Sequence, residues 1–342
     1  MSLIVGAYPA VPDAPQQQLF YQGLGRVPSI RGLELPYGQA GGSPWPAGAP
    51  DNWSAVVTAI PGTMQRLNQD KTFGLASTDS RGRLTALEFV SGLRDYVLQL
   101  AGEGHPVEAV ELHSAPHRSS SAKALEESFK ELLDWDWGGT RLLIEHCDAP
   151  RPGSTPEKGF LTFREEVDVI ASLRKQGWDT GIVVNWARSV IETENPGTAV
   201  EHLSLAREAG TLAGLMFSGC SSTETEFGYP WIDAHLPAAE VTGAPPSSLL
   251  NASGIQRCLH AAGPVSLTGF KIGLPRHGLS AEERVAREEH AFYFAVEAER
   301  IDAVAGGAHD LDSCAAVEVD DVAILEGIYL RGDAALQQGA PV

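Results

Sequence analysis

The chain has 342 residues, which is enough for two average domains or for one large α/β barrel. Its formal net charge of −19 at pH 7 argues against nucleic-acid and membrane partners, because an anionic partner needs a basic surface. Four widely spaced cysteines without a CxxC pair, no apolar run of roughly 20 residues and no signal peptide predict a reduced, cytoplasmic protein.

Short apolar and β-branched runs recur along the chain and predict eight strands. They cover residues 2–10, 29–38, 73–80, 109–116, 141–149, 180–189, 212–222 and 265–275. Segments with apolar residues at three- and four-residue spacing lie between many of them and predict helices. These cover residues 83–104, 121–135, 162–177, 198–210 and 280–301, and the last begins with a capping box.

Strands that alternate with helices predict a parallel sheet of the α/β class. Eight units over about 300 residues favour a single closed (β/α)8 TIM barrel. A doubly wound open sheet is the alternative, but the first strand is followed by no GxGxxG turn. We therefore expect one domain over 1–342, with the barrel in about 1–300 and a C-terminal helical extension in about 301–342.

Polar side chains stand where most of the predicted strands end, and a TIM barrel gathers its chemistry at that rim. Glu145 follows three apolar residues in the stretch RLLIEHCDAP, where a carboxylate is costly unless it is paired or bound. Glu34 in GLELPY and His113 in VELHSAP occupy similar positions. Glu111 shares the side of its strand with His113 and is expected deeper in the barrel, where it either positions His113 or Lys271 or is simply part of a buried ion pair.

Lys271 lies in the apolar stretch GFKIG and is either paired with a barrel glutamate or available for chemistry. Asn185 suits the orientation of a hydroxyl group, and Arg188 either clamps an anion or pairs with a nearby glutamate. His146 points away from Glu145 in a regular strand, so it lies between sheet and helix or contacts substrate. We predict substrate contacts from Asn185, Arg188, His146, Trp186 and Trp231.

A long segment rich in proline and glycine follows the seventh predicted strand, and such length is typical of a lid or binding loop. It contains Trp231, Asp233 and His235. An aspartate and a histidine two residues apart are a reasonable pair of metal ligands if another carboxylate converges on them.

The stretches GLELPY, VELHSAP and LLIEHCD resemble the xylose-isomerase-like TIM barrels of the sugar phosphate isomerase/epimerase superfamily, over roughly residues 1–300. The resemblance is narrower to an uncharacterised bacterial branch. It implies a divalent metal held by a glutamate, an aspartate, a histidine and a second glutamate. Glu145 fits the first position, but Asn185, Ser218 and Lys271 stand at the other three.

This departure leaves the cofactor open: either no metal is bound, or Mn, Mg or Zn is held by Glu145, Asp233 and His235. We expect a sugar or sugar-acid isomerase or epimerase of carbohydrate metabolism, in which Glu145 or Glu34 is the base. His113 would relay the proton, and Lys271 would stabilise the enediolate. The partner is a small carbohydrate, and a homo-oligomer is left open.

Three other functions are compatible with the same residues. Lys271 can form a Schiff base in an aldolase or lyase. Glu145 with Glu34 or Glu111 can hydrolyse a glycoside. A sugar-binding barrel that has lost its catalytic ligands is the third alternative.

Overall fold

A computed structural model describes residues 2–38, 40–275 and 277–307. Its strands are β1 (Leu3–Val5), β2 (Ile30–Gly38), β3 (Gly41–Gly42), β4 (Ser54–Thr58), β5 (Val107–Leu112), β6 (Arg141–Glu145), β7 (Thr180–Asn185), β8 (Leu212–Phe217) and β9 (Leu267–Phe270). Its helices are α1 (Ala14–Leu24), α2 (Ile60–Gln69), α3 (Ser80–Gly102), α4 (Ala122–Leu133), α5 (Phe163–Lys175), α6 (Trp186–Thr193), α7 (Gly197–Glu208), α8 (Ala252–Ala262) and α9 (Ala281–Gly307).

The strands form a closed parallel barrel. Their order is β1-β9-β8-β7-β6-β5-β4-β2-β3, and an additional pairing of β1 with β2 closes the sheet. The short β3 pairs with β2 in the antiparallel direction, so eight of the described strands build the parallel barrel. The predicted TIM barrel is confirmed.

The third barrel strand is not the predicted one. It is β4, whereas residues 73–79 lie in the turn that leads into α3 and Ser80 is the first residue of that helix. Ala76 and Thr78 donate their backbone N–H groups to Ala115 and Ser119 in a neighbouring loop rather than to a parallel strand. Because the apolar side chains of this turn are buried, their sequence pattern resembles that of a strand. The turn does not form the hydrogen bonds of a parallel strand.

Local signals explain the helix starts. Thr162 and Glu165 form a capping box at α5, and Ser280 and Glu283 exchange the same pair of bonds at α9. The Asp79 side chain accepts the Gly82 N–H at α3. The predicted helices are confirmed, while α1, α2, α6 and α8 were not anticipated.

The barrel interior has an apolar layer and, above it, a polar one. Side chains that meet on the inside of the strands form the apolar layer: Ile4, Val56, Ala109, Leu143, Val183, Ala213, Met216 and Leu267. Two residues farther along β4, β5, β6 and β7 stand Thr58, Glu111, Glu145 and Asn185. Because side chains alternate along a strand, these polar groups also face the interior, at the carboxyl ends.

The compact unit that contains the barrel spans residues 1–302. Most of the predicted C-terminal extension, from residue 308 onward, lies outside the described residues, so the single-domain assignment stays a prediction. Among the helices that the structure describes, none has the length and apolar composition needed to cross a bilayer.

Candidate active site at the carboxyl end of the barrel

The centre of the barrel mouth is a buried network of carboxylates and cations. The Lys271 ammonium, just past β9, lies 2.6 Å from Glu34 Oε1 on β2 and 3.9 Å from Glu145 Oε1 on β6. Glu145 and Lys271 are fully buried, and Glu34 is 1% exposed. Buried charges of this kind persist only when they are paired, as they are here.

Glu145 is the most heavily bound member of the network. Arg188 Nη1 lies 2.6 Å from its Oε2, Asn185 donates to its Oε1 at 2.9 Å, and His113 Nε2 lies 3.1 Å from its Oε2. Burial raises the pKa of Glu145, but Arg188 and Lys271 outweigh it and hold that pKa well below its ordinary value. Glu145 is therefore an anion that organises its neighbours and a weak base.

Glu34 has the opposite character. Burial raises its pKa above the ordinary value, even though the Lys271 ammonium opposes the shift. For Lys271, burial alone lowers the pKa, but Glu34, Tyr8 and Glu145 together raise it well above its usual range. The pair thus places a carboxylate able to accept a proton beside a fixed cation.

Glu111, on β5, completes the interior set but has no partner. Neither of its carboxyl oxygens has a hydrogen-bond partner within the described part of the chain. Burial, together with the Glu145 and Glu34 charges, raises its pKa well above the ordinary value. The predicted ion pair with His113 or Lys271 is not formed; the structure instead shows a buried carboxyl group whose protonated form is favoured by burial and by the neighbouring negative charges.

Gly6 and Tyr8, which follow β1, form one wall of the site. A Cβ on Gly6 would lie 2.5 Å from Glu34 Oε2 and 3.0 Å from Lys271 Cγ, so the missing side chain makes room for this pair. The Tyr8 ring lies 5.5 Å from the Lys271 ammonium, within the range of a cation–π contact. The stretch IVGAY could have indicated both residues, because Ile4, Gly6 and Tyr8 share the inner face by period two.

Asp233 closes the mouth of the site from the segment between β8 and α8, residues 218–251. Its Oδ2 lies 3.0 Å from Arg188 Nε and 2.8 Å from Lys158 Nζ. Burial raises the pKa of Asp233, but Lys158 and Arg188 bring it well below its ordinary value. Arg188 therefore links the barrel carboxylate Glu145 to the covering segment.

The backbone of the covering segment is held in an uncommon conformation on both sides of Asp233. Trp231 and His235 have φ values of 63° and 57°, which non-glycine residues rarely adopt. His235 Nδ1 lies 2.8 Å from Ser218 Oγ and 3.5 Å from Asp233 Oδ1. Such strain persists only where surrounding contacts over-determine it, and it is frequent at binding sites.

The structure brings most of the predicted site residues together. Glu145, Glu34, His113, Lys271, Asn185 and Arg188 form one connected group. Arg188 pairs with Glu145 and Asp233 rather than with the nearby glutamates that we considered. Trp231 is half-buried against the apolar core, in the covering segment.

Two of the residues predicted to contact the substrate lie outside this connected group. His146 faces away from the barrel interior and contacts Glu166 and Glu192 on the surrounding helices. Trp186 is 1% exposed and packs in the apolar core outside the barrel. Both follow the alternation of side chains, since Glu145 and Asn185, the residues before them, point inward.

Lys158 was missed altogether. It lies in the loop between β6 and α5, and no pattern in the sequence indicates that it reaches the site. Its position depends on the buried Asp148, whose carboxylate accepts the backbone N–H of Lys158 at 3.0 Å. Its ammonium then pairs with Asp233.

The fit of a divalent metal at the centre is poor. One oxygen each of Glu34, Glu111 and Glu145 lie within 4.8 Å of one another, which is close enough to share a cation. Lys271 and Arg188, however, each lie 2.6 Å from one of these carboxylates. An added ion would stand beside two fixed positive charges, so these residues do not suit a divalent cation.

The predicted metal ligands Glu145, Asp233 and His235 do not form a set either. Arg188 contacts Glu145 through Nη1 and Asp233 through Nε, so a guanidinium joins the two carboxylates. Burial lowers the pKa of His235 to about 4, and its Nδ1 is engaged with Ser218. The structure places an arginine where the resemblance implied a metal.

Comparison with known proteins gives a family and a fold. A family model described as a domain of unknown function, DUF4862, matches residues 4–287. The uncharacterised protein STM3670 of Salmonella typhimurium strain LT2 is 35% identical over 286 residues, which are 79% of this chain and 88% of that protein.

Solved structures match at lower identity. The IOLI protein, solved with a zinc atom, has a TM-score of 0.55 at 12% identity, over 87% of this chain and 99% of its own. D-psicose 3-epimerase of Clostridium cellulolyticum H10, solved with D-tagatose, has 0.52 at 14% identity, over 87% and 99%. Xylose isomerase domain proteins match as well, so the resemblance to xylose-isomerase-like barrels is confirmed at the level of the fold.

Proposed function

The chain belongs to the DUF4862 family, and we propose that it is a sugar or sugar-acid isomerase or epimerase. The proposed reaction moves a proton at a carbon next to a carbonyl group. The observation that carries the proposal is the Glu34–Lys271 pair, a carboxylate with a raised pKa held 2.6 Å from a buried ammonium. Structural neighbours of the chain include a sugar epimerase.

Glu34 is the proposed base, because a raised pKa brings a carboxylate closer to the pH at which it must accept and return a proton. Removing a proton beside a carbonyl leaves negative charge on the carbonyl oxygen. Lys271, held as a cation by Glu34 and Glu145, is the proposed group that stabilises this enediolate oxygen. Glu145 is assigned to fixing the positions of Lys271 and Arg188.

His113 is the proposed proton relay. Burial lowers its pKa to about 4, so the imidazole is neutral near pH 7 and can both donate and accept. Its Nε2 is engaged with Glu145, whereas its Nδ1 has no hydrogen-bond partner among the described residues. An epimerase would return the proton through a second group, here His113. An enzyme that uses Glu34 alone would remove and return the proton with the same carboxylate.

The charges in the site also favour this chemistry over a Schiff base. An amine must be neutral to attack a carbonyl, and the pKa of Lys271 is raised well above its usual range. A lysine suited to Schiff-base chemistry would have a lowered pKa. We therefore favour proton transfer over the aldolase or lyase reaction as the proposed function.

Glycoside hydrolysis is a second candidate with a specific observation in its favour. Glu34 has a raised pKa and Glu145 a lowered one, the division of roles that an acid and a nucleophile need. Oxygens of the two groups lie within 4.8 Å, near the ~5 Å spacing of retaining glycosidases. Release of nitrophenol from aryl glycosides would distinguish this reaction from isomerisation.

The proposal is tested by incubating the protein in D2O with a panel of aldoses, ketoses and sugar acids. Deuterium at the carbon next to the carbonyl, detected by NMR, is the expected result for at least one substrate. Glu34→Gln should reduce exchange by ~100-fold or more. The matched control Glu88→Gln, at an exposed position of α3, should keep the wild-type rate.

Two outcomes would count against the proposal. Exchange that survives in Glu34→Gln would remove Glu34 as the base. Tight binding of a sugar by calorimetry, with no exchange and no product, would favour the non-catalytic sugar-binding barrel.

A further inference from the structure

A second cluster of ligating side chains lies on the outer side of the barrel wall. It consists of His146 after β6, Glu192 on α6 and His202 on α7, and one donor atom of each lies within 4.8 Å of the others. We propose that these three residues bind one divalent transition-metal ion of the zinc class. The site is separate from the barrel interior, because Glu145 at the end of β6 points inward and the next residue, His146, points outward to Glu166 and Glu192.

The donor atoms are close to the arrangement that zinc requires. His146 Nε2 lies 3.0 Å from Glu192 Oε2. In a tetrahedral zinc site, bonds of about 2.0–2.2 Å place neighbouring ligand atoms roughly 3.4 Å apart. The rings of His146 and His202 are 5.1 Å apart between centroids and nearly perpendicular, and one donor atom of each of the three residues lies within 4.8 Å of the others, so His202 is placed to act as the third ligand.

Hydrogen bonds behind the ligands already orient them. His146 Nδ1 lies 2.7 Å from Glu166 Oε2, and His202 Nδ1 lies 3.0 Å from Ser189 Oγ. Engagement of Nδ1 in each ring leaves Nε2 as the ligand nitrogen. Metal-binding histidines show this pattern, in which a carboxylate or other acceptor fixes the second ring nitrogen.

Packing also fixes the two rings. Phe163 on α5 stacks on His202 with a centroid distance of 4.0 Å and an interplanar angle of 7°. The same phenyl ring meets His146 edge-on at 4.8 Å. The ligands therefore have little freedom to rotate, which lowers the entropic cost of binding an ion.

The charge of the cluster favours a divalent ion over a proton. Two carboxylates, Glu166 and Glu192, face His146 and would carry two negative charges. A proton on the imidazole balances one of them, whereas a divalent cation in the place of that proton balances both. Arg151 is nearby, but its Nη1 donates to the backbone carbonyl of Glu192 rather than to the carboxylate. The carboxylate Oε2 accepts the backbone N–H of Ala149 at 3.0 Å, a bond that holds it beside His146.

The cluster reaches solvent at Glu192. Its ligand types also determine which metal it would bind. The Glu192 side chain is 12% exposed, while His146 is fully buried. Two imidazoles and one carboxylate suit zinc better than magnesium or calcium, which prefer oxygen ligands alone. Water would occupy the fourth position.

The test uses the full chain without a polyhistidine tag. Protein treated with chelator and desalted is titrated with Zn²⁺ by calorimetry and with Co²⁺ by visible absorption. We expect one equivalent to bind and the Co²⁺ spectrum to show the strong bands of a tetrahedral site. His202→Gln and Glu192→Gln should weaken this binding by ~100-fold or more, and Glu166→Gln by ~10–100-fold.

Two controls locate the metal. His260→Gln, on the exposed face of α8, and Glu34→Gln, in the barrel interior, should both keep wild-type affinity. Loss of binding in Glu34→Gln with retention in His202→Gln would overturn the proposal and return the metal to the barrel mouth. Failure of folded wild-type protein to bind either ion, with a melting temperature unchanged by Zn²⁺, would also overturn it.

Discussion

At the scale of single residues, the site depends on which side chains are paired and which are not. Glu145 has several partners and a lowered pKa, Glu34 has one close cation and a raised pKa, and Glu111 has no partner. The sequence predicts that these acids lie on the inner face, because side chains alternate between the two faces of any strand. It did not show which acid pairs with which cation, since that depends on the register of separate strands.

Gly6 gives a test of the Glu34–Lys271 pair. In Gly6→Ala the new Cβ would lie 2.5 Å from Glu34 Oε2, so the carboxylate must move and its distance from Lys271 must change. We expect deuterium exchange to fall by ~10–100-fold, with a loss of stability of about 1–3 kcal/mol. Rates and urea unfolding measure the two effects.

Gly102→Ala is the matched control for this change. Gly102 is the last residue of α3, and a Cβ there meets nothing within 4 Å. It should leave exchange unchanged. Equal activity in the two variants would show that the space beside Gly6 has no bearing on the reaction.

At the scale of elements, residues 218–251 decide how the site is closed. Their length and composition predicted a lid or binding loop, and the structure places them over the barrel mouth through Asp233. The bonds from Asp233 to Arg188 and Lys158 could not be foreseen, because they join the covering segment to helix α6 and to the loop between β6 and α5, which are distant in sequence. The third strand was missed for a related reason: burial of a turn produces the same apolar pattern as a strand.

Asp233→Asn tests this closure. The substitution leaves Arg188 and Lys158 buried without their shared carboxylate, a change that costs about 3–5 kcal/mol at comparable sites. We expect faster hydrogen exchange of backbone amides in residues 219–236, measured by mass spectrometry. The control Asp168→Asn alters an exposed ion pair with Arg164 and should change stability by less than about 0.5 kcal/mol.

Unchanged exchange in Asp233→Asn would contradict the role of this carboxylate in holding the segment closed. Faster exchange spread over the whole barrel would instead indicate general destabilisation. The two patterns are distinguishable because the β-strands serve as an internal reference.

At the scale of the whole molecule, the fold was predictable because eight separate strand–helix units each contributed to the same conclusion. One misplaced strand did not alter the number of units or the closure of the barrel. The extent of the C-terminal extension stays a prediction. The chemistry was less predictable than the fold, since charge pairing across the barrel depends on contacts between distant parts of the chain.

Buried neutral histidines predict how stability depends on pH. Burial lowers the pKa of His113 and His235 to about 4 and that of His202 to about 3. The unfolded chain binds protons at these residues near pH 6.5, so stability is lost as pH falls from about 6.5 toward 4. His113 alone contributes on the order of 3 kcal/mol to this loss.

Urea unfolding at pH 7 and pH 5 measures this dependence. In His113→Gln the difference in the free energy of unfolding between the two pH values should shrink, because one protonating group is gone. His260→Gln, which replaces an exposed histidine, should keep the wild-type difference. An unchanged difference in His113→Gln would show that its imidazole is not held neutral.

The most direct test of the central claim is deuterium exchange by protein stripped of metal with chelator, with wild type compared with Lys271→Met. The account assigns stabilisation of the enediolate to the Lys271 ammonium, which lies 2.6 Å from the proposed base. It predicts that stripped wild-type protein keeps its full rate and that Lys271→Met loses ~100-fold or more. Loss of exchange on stripping, restored by added Mn²⁺ or Zn²⁺ in wild type and in His202→Gln alike, would contradict it.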